Sequence, residues 1–89
     1  MKEQDIINKL KKEFKEVYTW EDKPNRSYEK HSHEWDTKII IISGDISIKI
    51  DGKEFTLKRG DSIYIEKNKT HKAKTGQTGC KYIVGEITK

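Results

Sequence analysis

Two hydrophobic rhythms divide the chain. In the first twenty residues Ile6, Ile7, Leu10, Phe14, Val17 and Tyr18 recur at helical spacing and fall within an arc of about 120°, with lysines and glutamates opposite. This predicts an amphipathic N-terminal helix over residues 1–20, with Asp5 placed to cap its start. So short a helix is unstable alone in water and must dock on something. Asp22-Lys23-Pro24-Asn25 then reads as a turn.

From residue 21 onward the period changes to two. Ser27 to His33 is polar and alternating, and Thr37 to Ile42 carries four consecutive isoleucines. Ile46, Ile48 and Ile50 alternate with polar residues, and Asp51-Gly52 supplies a hairpin turn. Phe55 and Leu57 continue the alternation on the return. Further strands are expected at Ser62 to Ile65, His71 to Thr75 and Cys80 to Ile87, with turns at Arg59-Gly60-Asp61 and Gly76 to Gly79. Short strands at regular spacing suggest a sandwich or barrel. The isoleucine run wants burial on both faces. One face can line a barrel interior, and the apolar arc of the helix, or a second subunit, can cover the other.

Composition narrows the picture. Only 31% of the residues are apolar and 38% are charged, so one small core is all the chain can build. A bound metal or a partner subunit would help such a domain. Thirteen isoleucines favour strands. The net charge of +4 comes from lysines spread along the chain among acids, which describes a solvated surface. Lys67, Lys69, Lys72 and Lys74 cluster near His71, but stacking aromatics or a groove-entering helix are not evident, so nucleic acid is not an expected partner. No apolar run is long enough to span a bilayer, so no membrane partner is expected. The single cysteine, Cys80, and the charged start of the chain point to a reducing, cytoplasmic setting.

The candidate chemistry lies in the histidines. The three are His31, His33 and His71. Side chains two apart on a strand share a face, with Cα atoms ~6.6 Å apart. Two imidazoles can therefore converge on one ion, and the third must come from a neighbouring strand. Imidazole suits zinc, copper, iron and nickel.

These residues resemble the cupin family. Its first motif runs G-x5-H-x-H-x3/4-E-x6-G, and His31, His33 and Gly44 match it. Its second runs G-x5-P-x-G-x2-H-x3-N, and Gly60 and His71 match with ten residues between them. The resemblance covers about residues 24–87. It implies an all-β, double-stranded β-helix (jelly-roll) cupin barrel over residues 21–89, with the N-terminal α-helix packed outside. It also implies His31, His33 and His71 as ligands of a divalent transition metal (Fe, Mn, Ni, Zn or Cu). Turnover of oxygenase or isomerase type and a homodimer are further family expectations.

The departures bear on function. The motif glutamate falls on Thr37 or, with the longer spacing, on Lys38, and neither is a carboxylate. Glu34 and Asp36 are nearby but off register. Three neutral ligands leave the ion's +2 charge as the dominant local field, which favours a small anionic molecule in the barrel. The lost carboxylate leaves a metal-free ligand-binding, sensor or protein-interaction role as the alternative. Thr37 is expected to line the vacated position. Trp35 is expected at the pocket mouth, or else in ordinary packing. Cys80 and Tyr82 share an inward face with Val84, where Cys80 is either a soft ligand or a small buried hydrophobe. Tyr28, out of phase with His31, is expected to face away.

Overall fold

A computed structural model describes residues 2–89. Helix α1 spans Glu3–Glu13. Six strands follow: β1 (Phe14–Asp22), β2 (Ser27–His31), β3 (Thr37–Ile50), β4 (Lys53–Lys58), β5 (Ser62–Ile65) and β6 (His71–Thr88).

Two long strands organise everything else. β3 and β6 run antiparallel for most of their length. The Thr37–Gly44 half of β3 pairs with the C-terminal half of β6, and β5 and β1 flank this pair. The Ile46–Ile50 half pairs with His71–Thr75, and β4 and β2 flank that pair. The result is two four-stranded layers that share their central strands, a double-stranded β-helix. Both central strands change layer at the same level, where the ladder slips between Ile41 and Ser43 and between Gly44 and Ile46. Gly44 and Gly79 meet there at φ +75° and +79°. A Cβ on Gly44 would strike the Gly79 carbonyl, so this corner requires glycine twice over.

The turn expected at Gly76 to Gly79 is therefore a bend within one strand. It has a consequence for side-chain direction. His71 and Ala73 point into the barrel before the bend; Tyr82, Val84 and Glu86 do so after it.

The helix is shorter than its periodicity suggests. It ends at Glu13, so Val17 and Tyr18 lie on β1, and the barrel begins at Phe14 rather than residue 21. The Phe14–Asp22 segment is rich in β-branched and aromatic residues, and pairing with β6 outweighs its helical spacing. Asp5 does not cap the start. It lies in the first turn, and the N-cap is Lys2 with no side-chain bond.

The core has two parts, one on each side of the sheet built from β1, β6, β3 and β5. Inside lie Ile41, Ile46, Ile48, Leu57, Ile65, Cys80, Tyr82 and Val84. Outside, Leu10 and Phe14 pack on Ile83, with Ile6, Ile7, Ile40 and Ile42 around them. The helix thus covers the outward isoleucines of β3. Fully burying each such side chain is worth roughly 1.5–3 kcal/mol. Gly85 makes room for the Phe14 ring at the start of β1, because a Cβ there would lie 2.7 Å from it.

Candidate metal centre

The barrel encloses a cavity of about 370 Å³. Its inner wall is aliphatic, formed by residues such as Ile39, Ile48 and Val84. Tyr18, Trp20, Tyr28 and Tyr82 add an aromatic wall, and His31, His33 and His71 stand together at one end.

The fold brings the three imidazoles together by two devices. His31 ends β2 and stands directly opposite His71, the first residue of β6. His33 lies just past the end of β2, so the pair does not share one strand as its spacing suggests. Its carbonyl accepts a 2.6 Å hydrogen bond from the Asn68 amide, which ties it to the loop before β6. Ring centroids are 4.3 Å apart for His31 and His71, 4.9 Å for His31 and His33, and 5.2 Å for His33 and His71. One ring nitrogen from each lies within 4.8 Å of the other two.

Backbone carbonyls set the tautomers. Nδ1 of His31 is 2.6 Å from the Glu29 carbonyl, and Nδ1 of His71 is 2.9 Å from the Lys69 carbonyl. A carbonyl only accepts, so each Nδ1 carries the proton and each Nε2 keeps a lone pair. Fixing a ligand imidazole through its other nitrogen is how metal-binding histidines are held. Burial lowers the His71 pKa. The Lys69 carbonyl opposes that, and the neighbouring imidazoles add to the lowering. His33 is also lowered, by burial and then by His31, against the opposing charge of Glu86. Neutral rings are the ligating form, so the donor set fits a divalent transition ion.

The other expected site residues divide. Thr37 and Tyr82 line the cavity; Trp35 and Cys80 do not. Trp35 stacks on the His33 ring at 5.1 Å with a 2° interplanar angle, and its Nε1 donates to Glu86 Oε2 at 2.7 Å. It lies past β2, where stacking on the ring places it behind His33 rather than on the wall. Cys80 is on the inward face but sits in the core cluster. The strand crossing at Gly44, which pairs with it, closes that level of the barrel. Burial pushes its thiol up to about 11, helped by Asp22 and Asp45, so the reactive and ligating thiolate is disfavoured.

Three residues with larger roles carry weaker sequence signals. Tyr28 faces inward, because an irregularity between Tyr28 and His31 shifts the phase of β2. Asp22 is buried and accepts hydrogen bonds from Tyr28 Oη at 2.6 Å, Tyr82 Oη at 2.6 Å and Trp20 Nε1 at 2.9 Å. Glu86 lines the cavity near the histidines, and the alternation of Tyr82 and Val84, continued by two residues, leads to it.

Fold and site together describe a jelly-roll barrel with a three-imidazole centre. The family model described as Cupin domain matches residues 18–85, and the chain belongs to that family. Among solved structures it is similar to KdgF from Halomonas sp. (16% identity, TM-score 0.75, covering 82% of this chain and 67% of that one). The Schizosaccharomyces pombe Cnp3 cupin domain is also similar (12% identity, TM-score 0.75, covering 82% and 55%). So is W96Y oxalate decarboxylase from Bacillus subtilis (19% identity, TM-score 0.71, covering 81% and 20%). Identities this low speak for the fold alone. A comparison with curated protein sequences finds no match. Among the described residues no helix is long and apolar enough to cross a membrane.

Proposed function

We propose that the protein binds a divalent transition metal through His31, His33 and His71 and, on that ion, a small anionic molecule seated in the barrel. The observation that carries this is the pair of Nδ1–H bonds to the Glu29 and Lys69 carbonyls, which leave two Nε2 lone pairs at one end of the barrel cavity. Packing alone would not need two histidines held in that tautomer.

The ion would supply a Lewis acid and a fixed positive charge. The chain's own groups would do the rest. The aliphatic wall excludes water from the body of the ligand, and the cavity volume suits a small organic acid rather than a polymer. Lys30, Lys49 and Lys72, against the single carboxylate of Asp51, border a second concavity that shares His71, a net positive surface that favours the approach of anions. Thr37 lines the cavity, and its hydroxyl is buried without a protein partner.

Elemental analysis of purified protein, beside His71→Ala, is the test. One equivalent of metal in the wild type and none in the variant is the expected result. Protein that cannot be loaded, with unchanged melting in both forms, overturns the reading in favour of a metal-free binding module.

A further inference from the structure

Among the described residues, Glu86 is the only carboxylate that lines the cavity. It stands directly across from Thr37 in the β3–β6 register. Directly opposed residues of an antiparallel pair have Cβ atoms about 4.5–5.5 Å apart. Thr37 is one of the two positions on which the family's motif glutamate falls, and the one of the pair that lines the cavity. The chain therefore lacks an acid at that place and carries one on the adjoining strand, facing the same space.

Glu86 is held firmly. Trp35 Nε1 fixes one carboxylate oxygen, and the Trp35 ring is itself stacked on His33. The Tyr18 phenol lies against Glu86, and burial together with that carboxylate keeps the phenol protonated. The next residue, Ile87, has φ +65°, a costly conformation for a β-branched residue. It persists because the Ile87 amide donates to the Asp36 carbonyl at 3.1 Å. The Asp36 carboxylate also accepts from Thr88 Oγ1 at 3.0 Å and from the Lys67 amide at 2.8 Å. This clamp joins the segment carrying Trp35 to the strand carrying Glu86.

Resting on the metal reading above, we propose that Glu86 is the acidic group of the centre, moved one strand sideways from the motif position. It is a positioning residue outside the ligand set, since among the described residues the group whose ligand atoms lie within 4.8 Å of one another holds the three histidines and not Glu86. With an ion held by the three imidazoles, Glu86 would accept a hydrogen bond from a water or protic group beside it, across from Thr37 on the other strand. Its negative charge holds the cation and opposes a further anion.

Two effects of opposite sign follow, which a general loosening of the fold would not produce. With zinc as the only probe, Glu86→Gln should bind the metal about tenfold more weakly. With acetate as the probe of zinc-loaded protein, the same variant should bind severalfold more tightly, because a like charge has gone. Trp35→Phe keeps a ring over His33 but loses the donor to Glu86, and should weaken zinc in the same direction by less. Melting in chelator checks the fold of each variant, and Trp35→Phe carries the test if Glu86→Gln is unstable. Equal zinc affinity in wild type and both variants overturns the role of Glu86 alone. Parallel weakening of zinc and acetate also overturns it, in favour of a structural role. A wild type that takes up no zinc overturns the metal reading, and this one with it.

Discussion

The two ends of the cavity treat polar groups in opposite ways. At the closed end each polar group is finished by the protein. The Asp22 carboxylate takes three side-chain donors, and the Thr75 hydroxyl donates to the Lys23 carbonyl at 2.7 Å while accepting from the Arg26 amide at 2.8 Å. At the histidine end groups are left over: the Nε2 atoms of His31 and His71, and the hydroxyl of Thr37. Both ends are built on the same two long strands. The difference teaches that burial of polar atoms does not by itself mark a site. A finished network holds the wall in shape, and unspent donors and acceptors mark where something else binds.

The largest effect should come from the finished end. Asp22→Ala leaves the buried Tyr82 hydroxyl and two more donors without their acceptor, and is expected to cost about 3 kcal/mol. For a domain of this size that lowers the melting temperature by roughly 12–24 °C. Zinc affinity measured below the new transition should barely change. If instead zinc binding collapses while melting holds, the two ends are not separable in the way their hydrogen bonds indicate.

Next comes the unfinished end. Zinc at a hundred times its dissociation constant should stabilise the wild type by about 2.7 kcal/mol, and His71→Ala should abolish that gain. Melting curves with zinc and with chelator read this directly. In chelator the same end also sets a pH dependence. His33 and His71 have folded pKa values below the ordinary imidazole value, so the folded state prefers the neutral rings. The unfolded chain takes up protons first as the pH falls. Stability should therefore be full above the ordinary value near 6.5 and decline as the pH drops below it toward the lowered folded values. His33→Gln with His71→Gln should flatten that decline, and an unchanged slope would show that other groups cause it.

How far this contrast is legible in the sequence depends on strand phase. The Ile46–Ile48–Ile50 alternation and the Asp51-Gly52 hairpin survive into the structure because each is a local pattern with one reading, and the three histidines meet because motif spacing links two remote segments. Phe14, Val17 and Tyr18 satisfy helical spacing as well as a strand, and only pairing with β6 decides between them. Tyr28 reads as outward-facing because an irregularity in β2 leaves no mark on composition. Asp22 sits in what resembles an ordinary polar turn, and its three donors arrive from residues 20, 28 and 82. Glu86 continues the alternation of Tyr82 and Val84, but the family motif places its carboxylate on β3 and carries no signal for one on β6.

The smallest effect belongs to Cys80, which tests the boundary between the two ends. It lies inward, like the cavity residues, but within the core cluster and against no histidine ring. Cys80→Ala should therefore cost about 1 kcal/mol, a typical loss for a modest core truncation. Zinc stoichiometry and affinity should match the wild type. Because its thiol is pushed up to about 11, alkylation of native protein at pH 8 should be slow and should follow unfolding. A Cys80→Ala protein that loses zinc would place sulfur in the ligand set, and would mean that the unfinished end reaches deeper into the barrel than the imidazoles and Thr37 show.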